Sequence, residues 1–464
     1  MGRFFYLLYS GSIIFVMYPK KFLFIVLSFF SFESITGKDI SWQENIIDDA
    51  YVGPSDLAGS DGLEIGDLDK DGYVDIVSVH ELDTEYGVPK GYVRIAWGTK
   101  DPYIWELTTL ASGSEAPSAE DVDIADADGD GWLDIVVACE LAHLIYFKNP
   151  SKKHRSVEWE RTIPSITQNR GSFIRVFFAD FNQDGRVEVV AANKGAENPD
   201  VTTASRNNIS IYLLPEEPLM GEKWEELVLT KVRIPINSQP IDLDRDGDLD
   251  IVVGSRGERR ILWLENRGNF KFNEHKINFT SELEKDSWIT GFNMDYVDLN
   301  DDGRLDIVSS VWPSSVYGLF QPKDPKESWD LQKIGDIKPD LLVSVSIADI
   351  DGDGDNDILS GSYSLGSRDK DDDSDSNQSY GSVVWFEKVE DIWIKHNILR
   401  RKRGMYDKWI PIDLDNDEDI DFVGTRGNSK PYDGVFWLEQ KGRGFEKVFF
   451  PARKDDSQNI PFND

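Results

Sequence analysis

The sequence predicts an all-β chain folded as a seven-bladed β-propeller, and three observations carry that prediction. A loop of the form D-x-[DN]-x-D-G-x-x-[DE], with one departure at its sixth position, occurs seven times, starting at Asp67, Asp126, Asp180, Asp242, Asp298, Asp349 and Asp413. The intervals between starts are 59, 54, 62, 56, 51 and 64 residues, a spacing typical of propellers and solenoids. Each loop runs into a β-branched segment such as Asp75-Ile-Val or Asp250-Ile-Val-Val, and no helical period intervenes.

Every repeat has the same order of elements. A short apolar strand leads into the loop, as at Ile65 before Asp67 or Ile347-Ala348 before Asp349. A second strand leaves it. A third carries aromatic residues: Ile95-Ala-Trp97, Ile145-Tyr-Phe147, Ile261-Leu-Trp263, Val384-Trp385 and Val435-Phe-Trp437. A fourth begins at Trp105, Trp159, Trp224, Phe272, Trp329, Trp393 or Phe445. Four strands per repeat make one propeller blade. Trp42 opens a further segment of the fourth-strand type, expected to latch the N-terminal end onto the last blade and so remove open sheet edges. The aromatic residues are expected to pack between blades. The propeller is assigned to residues 38–452, with a C-terminal tail at 453–464.

The loops have the chemistry of a calcium site. A hard cation takes six to eight oxygens, which carboxylates at loop positions one, three, five and nine and a carbonyl at position seven can supply. The ligands are Asp67, Asp69, Asp71, Tyr73 (through its carbonyl) and Asp75 in the first copy. They are Asp126, Asp128, Asp130 and Asp134 in the second, and Asp180, Asn182, Asp184 and Glu188 in the third. The fourth offers Asp242, Asp244, Asp246 and Asp250, and the fifth Asp298, Asn300, Asp302 and Asp306. The sixth offers Asp349, Asp351, Asp353 and Asp357, and the seventh Asp413, Asp415, Asp417 and Asp421. The expectation is a Ca²⁺ loop in each blade, up to seven sites, with Mg²⁺ an alternative at some. An EF-hand is excluded because position twelve is aliphatic or small and strands flank the loop. Glu418 replaces the position-six glycine of the last copy, so a strained turn and weaker site are expected there. Asn182 and Glu188 lower the charge and change the geometry of the third.

The formal charge is −35 over 464 residues. Much of it is loop carboxylate, which repels itself without metal, and the excess argues against a nucleic-acid partner. Cys139 is the only cysteine and lies in a strand, so it reads as a buried thiol. Residues 1–37 read as a signal peptide or N-terminal anchor: Met17-Tyr-Pro-Lys-Lys precedes an apolar run from Phe22 to Phe32, with translation starting at Met1 or Met17. Secretion is the expectation, with a membrane contact only if that segment is retained. Asn208, Asn278 and Asn377 stand in glycosylation sequons. The Asp/Ser run from Arg368 to Ser379 reads as a solvated low-complexity insertion.

The pattern Asp-x-Asp-x-Asp-Gly-x-x-Asp-Ile-Val followed by a Trp-bearing strand resembles the FG-GAP/VCBS repeat family, which includes the propeller heads of integrin α-subunits. The resemblance covers about nine-tenths of the chain. It implies that the calcium loops join first to second strands on one face and that ligands meet the opposite face. It leaves function open, because members adhere, bind sugars or, in similar propellers, act as polysaccharide lyases or sugar dehydratases.

On that opposite face, residues following the second strands should converge: His80 and Glu81, Glu140 and His143, Lys194, Arg256, Trp312, Tyr363 and Arg426. Connections between blades add Glu120, Arg170, Arg175, Trp288 and Lys408. Cations gathered in an acidic chain point to an anionic ligand. The favoured function is carbohydrate recognition, with Trp288, Trp312 and Tyr363 stacking on sugar rings while Glu140, Arg175, Lys408 and Arg426 contribute polar contacts. The alternative is a lyase or dehydratase on an acidic sugar, with His80, His143 or Tyr363 as base and Lys194, Arg170 or Arg256 neutralising the carboxylate. A third is adhesion to an extracellular protein. His154, His275 and His396 read as surface or packing residues.

Overall fold

Seven sheets of chiefly antiparallel strands make up the described residues. The computed structural model describes residues 39–82, 87–155, 157–365, 379–444, 447–456 and 460–462. The proposed leader at 1–37, Phe445, the sequon at Asn377 and most of the Asp/Ser insertion lie outside the described residues. Among those described, the helical elements are short 3-10 turns at Ser151–Lys153 and Gly221–Lys223, and no helix is long and apolar enough to cross a membrane.

Six sheets have four strands taken in chain order. Their first strands are Ser60–Gly66, Ala119–Ala125, Phe173–Ala179, Pro235–Ile241, Trp288–Val297 and Leu341–Ala348, and Trp409–Ile412 opens the seventh blade. Consecutive first strands contact one another, and Ser60–Gly66 also meets Asp421–Arg426 of the seventh blade, which closes the ring. The second strands, such as Asp75–His80 and Asp250–Ser255, are buried along their whole length. Neighbouring blades cover both their faces, so these strands read as unbroken apolar runs. The fourth strands alternate exposed and half-buried residues, as in Glu106–Gly113.

The seventh blade has five strands, and its fourth position is filled from the N-terminus. Asp39–Asp49 pairs antiparallel with Gly434–Gly444, and Phe449–Phe450 adds in parallel to its other edge. The Trp42 segment therefore supplies the strand that Phe445 was expected to begin. Residues described within 453–464 pack onto the propeller as well. Arg453 pairs with Asp49, Asp456 with Arg426 and Arg401, and Phe462 packs with the core between the fifth and sixth blades.

Each of the seven hydrophobic clusters lies between two adjacent blades. The cluster of Leu63, Ile76, Val423 and Trp437 joins the first blade to the last. The third-strand aromatics Trp97, Trp263, Trp385 and Trp437 are almost fully buried in these seams. Cys139 is buried in the first of them.

Polar groups stitch the seams too. The amide of Asn149 donates to the carbonyl of Leu68 in the preceding blade at 3.0 Å. Asn266 reaches Phe181, Gln321 reaches Leu243, and Gln440 reaches Ile350 in the same way, at 2.8 to 3.1 Å. Lys388 uses its ammonium for the equivalent contact to Leu299 at 2.8 Å. Each clamp satisfies a loop carbonyl that a packed seam would otherwise strand.

Candidate functional site

All seven loops share one backbone geometry. The fourth position has positive φ throughout (Lys70 59°, Gln183 59°, Arg245 56°) and so does the sixth (Gly72 90°, Gly247 98°). Glu418 adopts φ 75° at that sixth position, where a side chain is strained. The position-one carboxylate folds the turn: Asp67 accepts the N–H groups of Asp71 and Gly72, and Asp242, Asp298, Asp349 and Asp413 do the same in their own loops. Carboxylates at positions one, three and five then face each other, with oxygens within 4.8 Å in the loops starting at Asp67, Asp126, Asp242 and Asp349. Asp126 Oδ1, Asp244 Oδ1 and Asp415 Oδ1 are buried without a hydrogen-bond partner among the described residues. Hard oxygens converging with unsatisfied lone pairs suit a divalent cation.

The ninth position does something the sequence did not disclose. Asp250 accepts the N–H of Leu243 at 3.2 Å and that of Asn266 at 2.7 Å. Asp75, Asp134, Asp306, Asp357 and Asp421 repeat this double contact, tying the loop to the end of the third strand. In some loops a base lies on the carboxylates. Arg155 bonds Asp69 and Asp71, Lys148 pairs with Asp128, and Arg304 pairs with Asp302.

The opposite face holds a cavity of about 420 Å³. Its wall comes from the starts of first strands, the ends of second strands and the connections beyond them, so it lies at the other end of the strands from the Asp-rich loops. The cavity is divided by charge. Asp61, Glu81, Glu120 and Glu140 line one side, with Lys194 paired to Glu140. The oxygens of Asp61, Glu81 and Glu120 lie within 4.8 Å of one another. Burial, joined by the neighbouring carboxylates, raises Glu81 well above the usual range and Glu140 to about 8, the latter against the pull of Lys194. That side therefore carries protons as well as charge at neutral pH. Arg256, Arg259, Trp288, Trp312 and Tyr363 line the other side. The rings of Trp288 and Trp312 stack at 5.7 Å with 24° between planes.

The cavity thus gathers Glu81, Glu120, Glu140, Lys194, Arg256, Trp288, Trp312 and Tyr363 from the expected set. It does not gather the histidines. His80 is fully buried, with Ser60 Oγ 2.6 Å from Nδ1 and Ser78 Oγ 3.0 Å from Nε2. His80 ends its strand pointing into the blade, and alternation turns the next residue, Glu81, to the cavity. His143 is half-buried in the turn between second and third strands and does not line the cavity. Arg170 points outward to Glu226, with a 3.2 Å contact. Arg175 lies under the cavity, bonded to Asp407 at 2.9 Å and Asn293 at 3.2 Å. Lys408 is 4.0 Å from Glu64 on a first strand. Arg426 is buried against Asp456.

His80 makes a pH prediction. Burial, with Arg94 nearby, lowers its pKa from 6.5 to about 3. The folded ring stays neutral where the unfolded one protonates, so its share of stability is complete above pH 6.5 and drains as pH falls towards about 3. Between about pH 7 and about pH 5, the Tm of His80→Gln should therefore fall less than that of the parent. Parallel melting curves across that range would refute this.

Asp61, Glu197, Arg259 and Asp407 also line the cavity and were not singled out from sequence. A register signal existed for Asp61. The second residue of a first strand lines the cavity at Asp61, Glu120, Ile174 and Leu342, and the first residue past a second strand does so at Glu81, Glu140, Lys194 and Arg256.

The family described as FG-GAP-like repeat matches residues 67–137 and 242–309. The chain carries FG-GAP-like repeats. The matched stretches hold the loops at Asp67, Asp126, Asp242 and Asp298, and the remaining copies keep their backbone geometry. FG-GAP-like propeller repeats generally mediate ligand or protein interactions. No curated protein matches the chain. Among solved structures it is similar to YCF48 from Cyanidioschyzon merolae, at 10% identity over 86% of this chain and 98% of that one, with a TM-score of 0.49. It is similar to the Dos1 propeller at 10% identity over 89% and 98%, with a TM-score of 0.48. An Agrocybe aegerita lectin, described as recognising non-reducing terminal N-acetylglucosamine, gives 13% identity over 74% and 80%, with a TM-score of 0.43.

Proposed function

We propose that the protein is a secreted, calcium-stabilised propeller that recognises a carbohydrate in the cavity opposite its Asp-rich loops. One observation carries the reading: stacked Trp288 and Trp312 share a cavity of about 420 Å³ with buried carboxylates. Aromatic faces cover the apolar side of a sugar ring, and carboxyl groups bond its hydroxyls; a pocket of this size suits a small ligand. Calcium in the loops supplies cross-links, held by positions one, three and five, that fix the ends of the first and second strands. The loops stand apart from the cavity, so calcium serves the scaffold.

The test is calorimetric titration with a panel of neutral and acidic oligosaccharides. A binding member should lose affinity roughly tenfold or more in Trp312→Ala and in Trp288→Ala. Absence of binding across the panel, or variants that bind like the parent, would overturn the reading. Lyase chemistry is the weaker reading, because both candidate histidines lie outside the cavity. Tyr363, with Lys194 and Arg256, keeps it testable through the ultraviolet absorbance of unsaturated uronate ends.

A further inference from the structure

One cation lining the cavity has no acid paired to it among the described residues. Arg259 sits in the turn between the second and third strands of the fourth blade, with φ 50°. Its guanidinium lies over the Trp288 ring, 4.1 Å from the centroid. Glu258, the acid beside it, is already engaged by Arg260 at 2.7 Å and by Arg206 at 2.8 Å. Arg259 makes no hydrogen bond or ion pair with any described residue, although the chain holds 85 acidic residues against 50 basic ones. By contrast Lys194 is paired with Glu140, and Arg175 with Asp407.

We propose that the cavity selects an acidic sugar, whose carboxylate or sulfate docks on the Arg259 guanidinium where it lies on Trp288. This rests on the carbohydrate reading above and adds the class of sugar. Stacking on the indole holds the guanidinium plane in place. A held fork bonds an oxyanion bidentately, with less freedom to lose than a Lys ammonium has. The carboxylates across the cavity do not forbid an anion, because burial raises Glu81 well above its usual range and Glu140 to about 8. They then face the hydroxyls of the same sugar.

The experiment uses two matched pairs: oligogalacturonate with its methyl ester, and dextran sulfate with dextran. Each is titrated against the full chain, Arg259→Ala and Arg259→Lys. Arg259 is exposed, so these variants should fold, which melting curves check. In at least one pair the acidic member should bind roughly tenfold tighter than its neutral partner, and the pair that does so identifies the oxyanion. Arg259→Ala should remove that preference, read as the ratio of acidic to neutral affinity, and Arg259→Lys should restore only part of it. Neutral members that bind as well as acidic ones, still weakened by Trp312→Ala, would overturn this proposal and leave carbohydrate recognition standing. A preference untouched in Arg259→Ala would overturn it too. No binding by any of the four overturns this proposal, and the wider panel then decides carbohydrate recognition separately.

Discussion

Chelation should lower the Tm of the calcium-loaded protein by about ten degrees or more, because each site filled at a hundred times its Kd contributes ~2.7 kcal/mol and several such sites add. Position-one, -three and -five carboxylates are held facing one another by backbone donors, so the fold fixes their repulsion in place. Asp126, Asp244 and Asp415 each keep a buried oxygen with no hydrogen bond among the described residues. Removing a cation would leave these groups with neither solvent nor partner. The loops should not respond equally. Arg155 already lies on Asp69 and Asp71, Lys148 on Asp128 and Arg304 on Asp302, and Glu418 strains the last turn, so calcium should leave those four loops at the lowest chelator concentrations. Metal analysis shows the occupancy, and scanning calorimetry reads the shift. A protein purified without calcium whose Tm ignores both chelator and added calcium would remove the metal from the account.

Deleting residues 453–464 should be nearly as damaging, at a cost of about 3–5 kcal/mol, the usual penalty for leaving a buried charge without its partner. Arg426 is 3% exposed and Arg401 fully buried, and both meet Asp456. Glu44 keeps Arg401 paired at 2.7 Å, so Arg426 loses more. The deletion also removes the Arg453 contact to Asp49, the Ile460 N–H bond to the Arg400 carbonyl and the Phe462 contact with the core. Asp456→Asn isolates the charge from the packing. It should recover part of the loss, since the amide still accepts a hydrogen bond. Truncation that leaves Tm within a degree or so would show the segment to be an appendage.

The ring was legible because its signal was repeated. Asp-rich turns, aliphatic second strands and Trp-headed fourth strands recur at a steady spacing, and Trp42 stood out as a fourth strand with no blade of its own. The ninth-position acid was legible as a residue but not in its contacts. Its partners are backbone groups of a strand some sixteen residues on, as Asn266 is from Asp250, and no side-chain pattern reports them. The amide clamps left a faint trace, an Asn or Gln at the end of an aromatic third strand. Of the cavity, Trp288, Trp312 and Tyr363 were found because aromatic residues at strand ends are conspicuous. His80 misled because one step along a strand reverses the direction of a side chain, and no exact strand end could be counted from residue types alone. Asp61 and Arg259 were hidden for a related reason: acids and arginines are common in this chain, and only register separates one on the cavity wall from one in solvent.

The sharing of the seventh blade between the two ends of the described chain has a mechanical consequence. Asp39–Asp49 is held between Gly434–Gly444 on one edge and Phe449–Phe450 on the other. Tension applied between residues 39 and 450 loads that one sheet in shear, while the strands of the six other blades lie outside that sheet. Under pulling, the molecule should yield first by sliding of its N-terminal strand, and only then pay out the rest of its length.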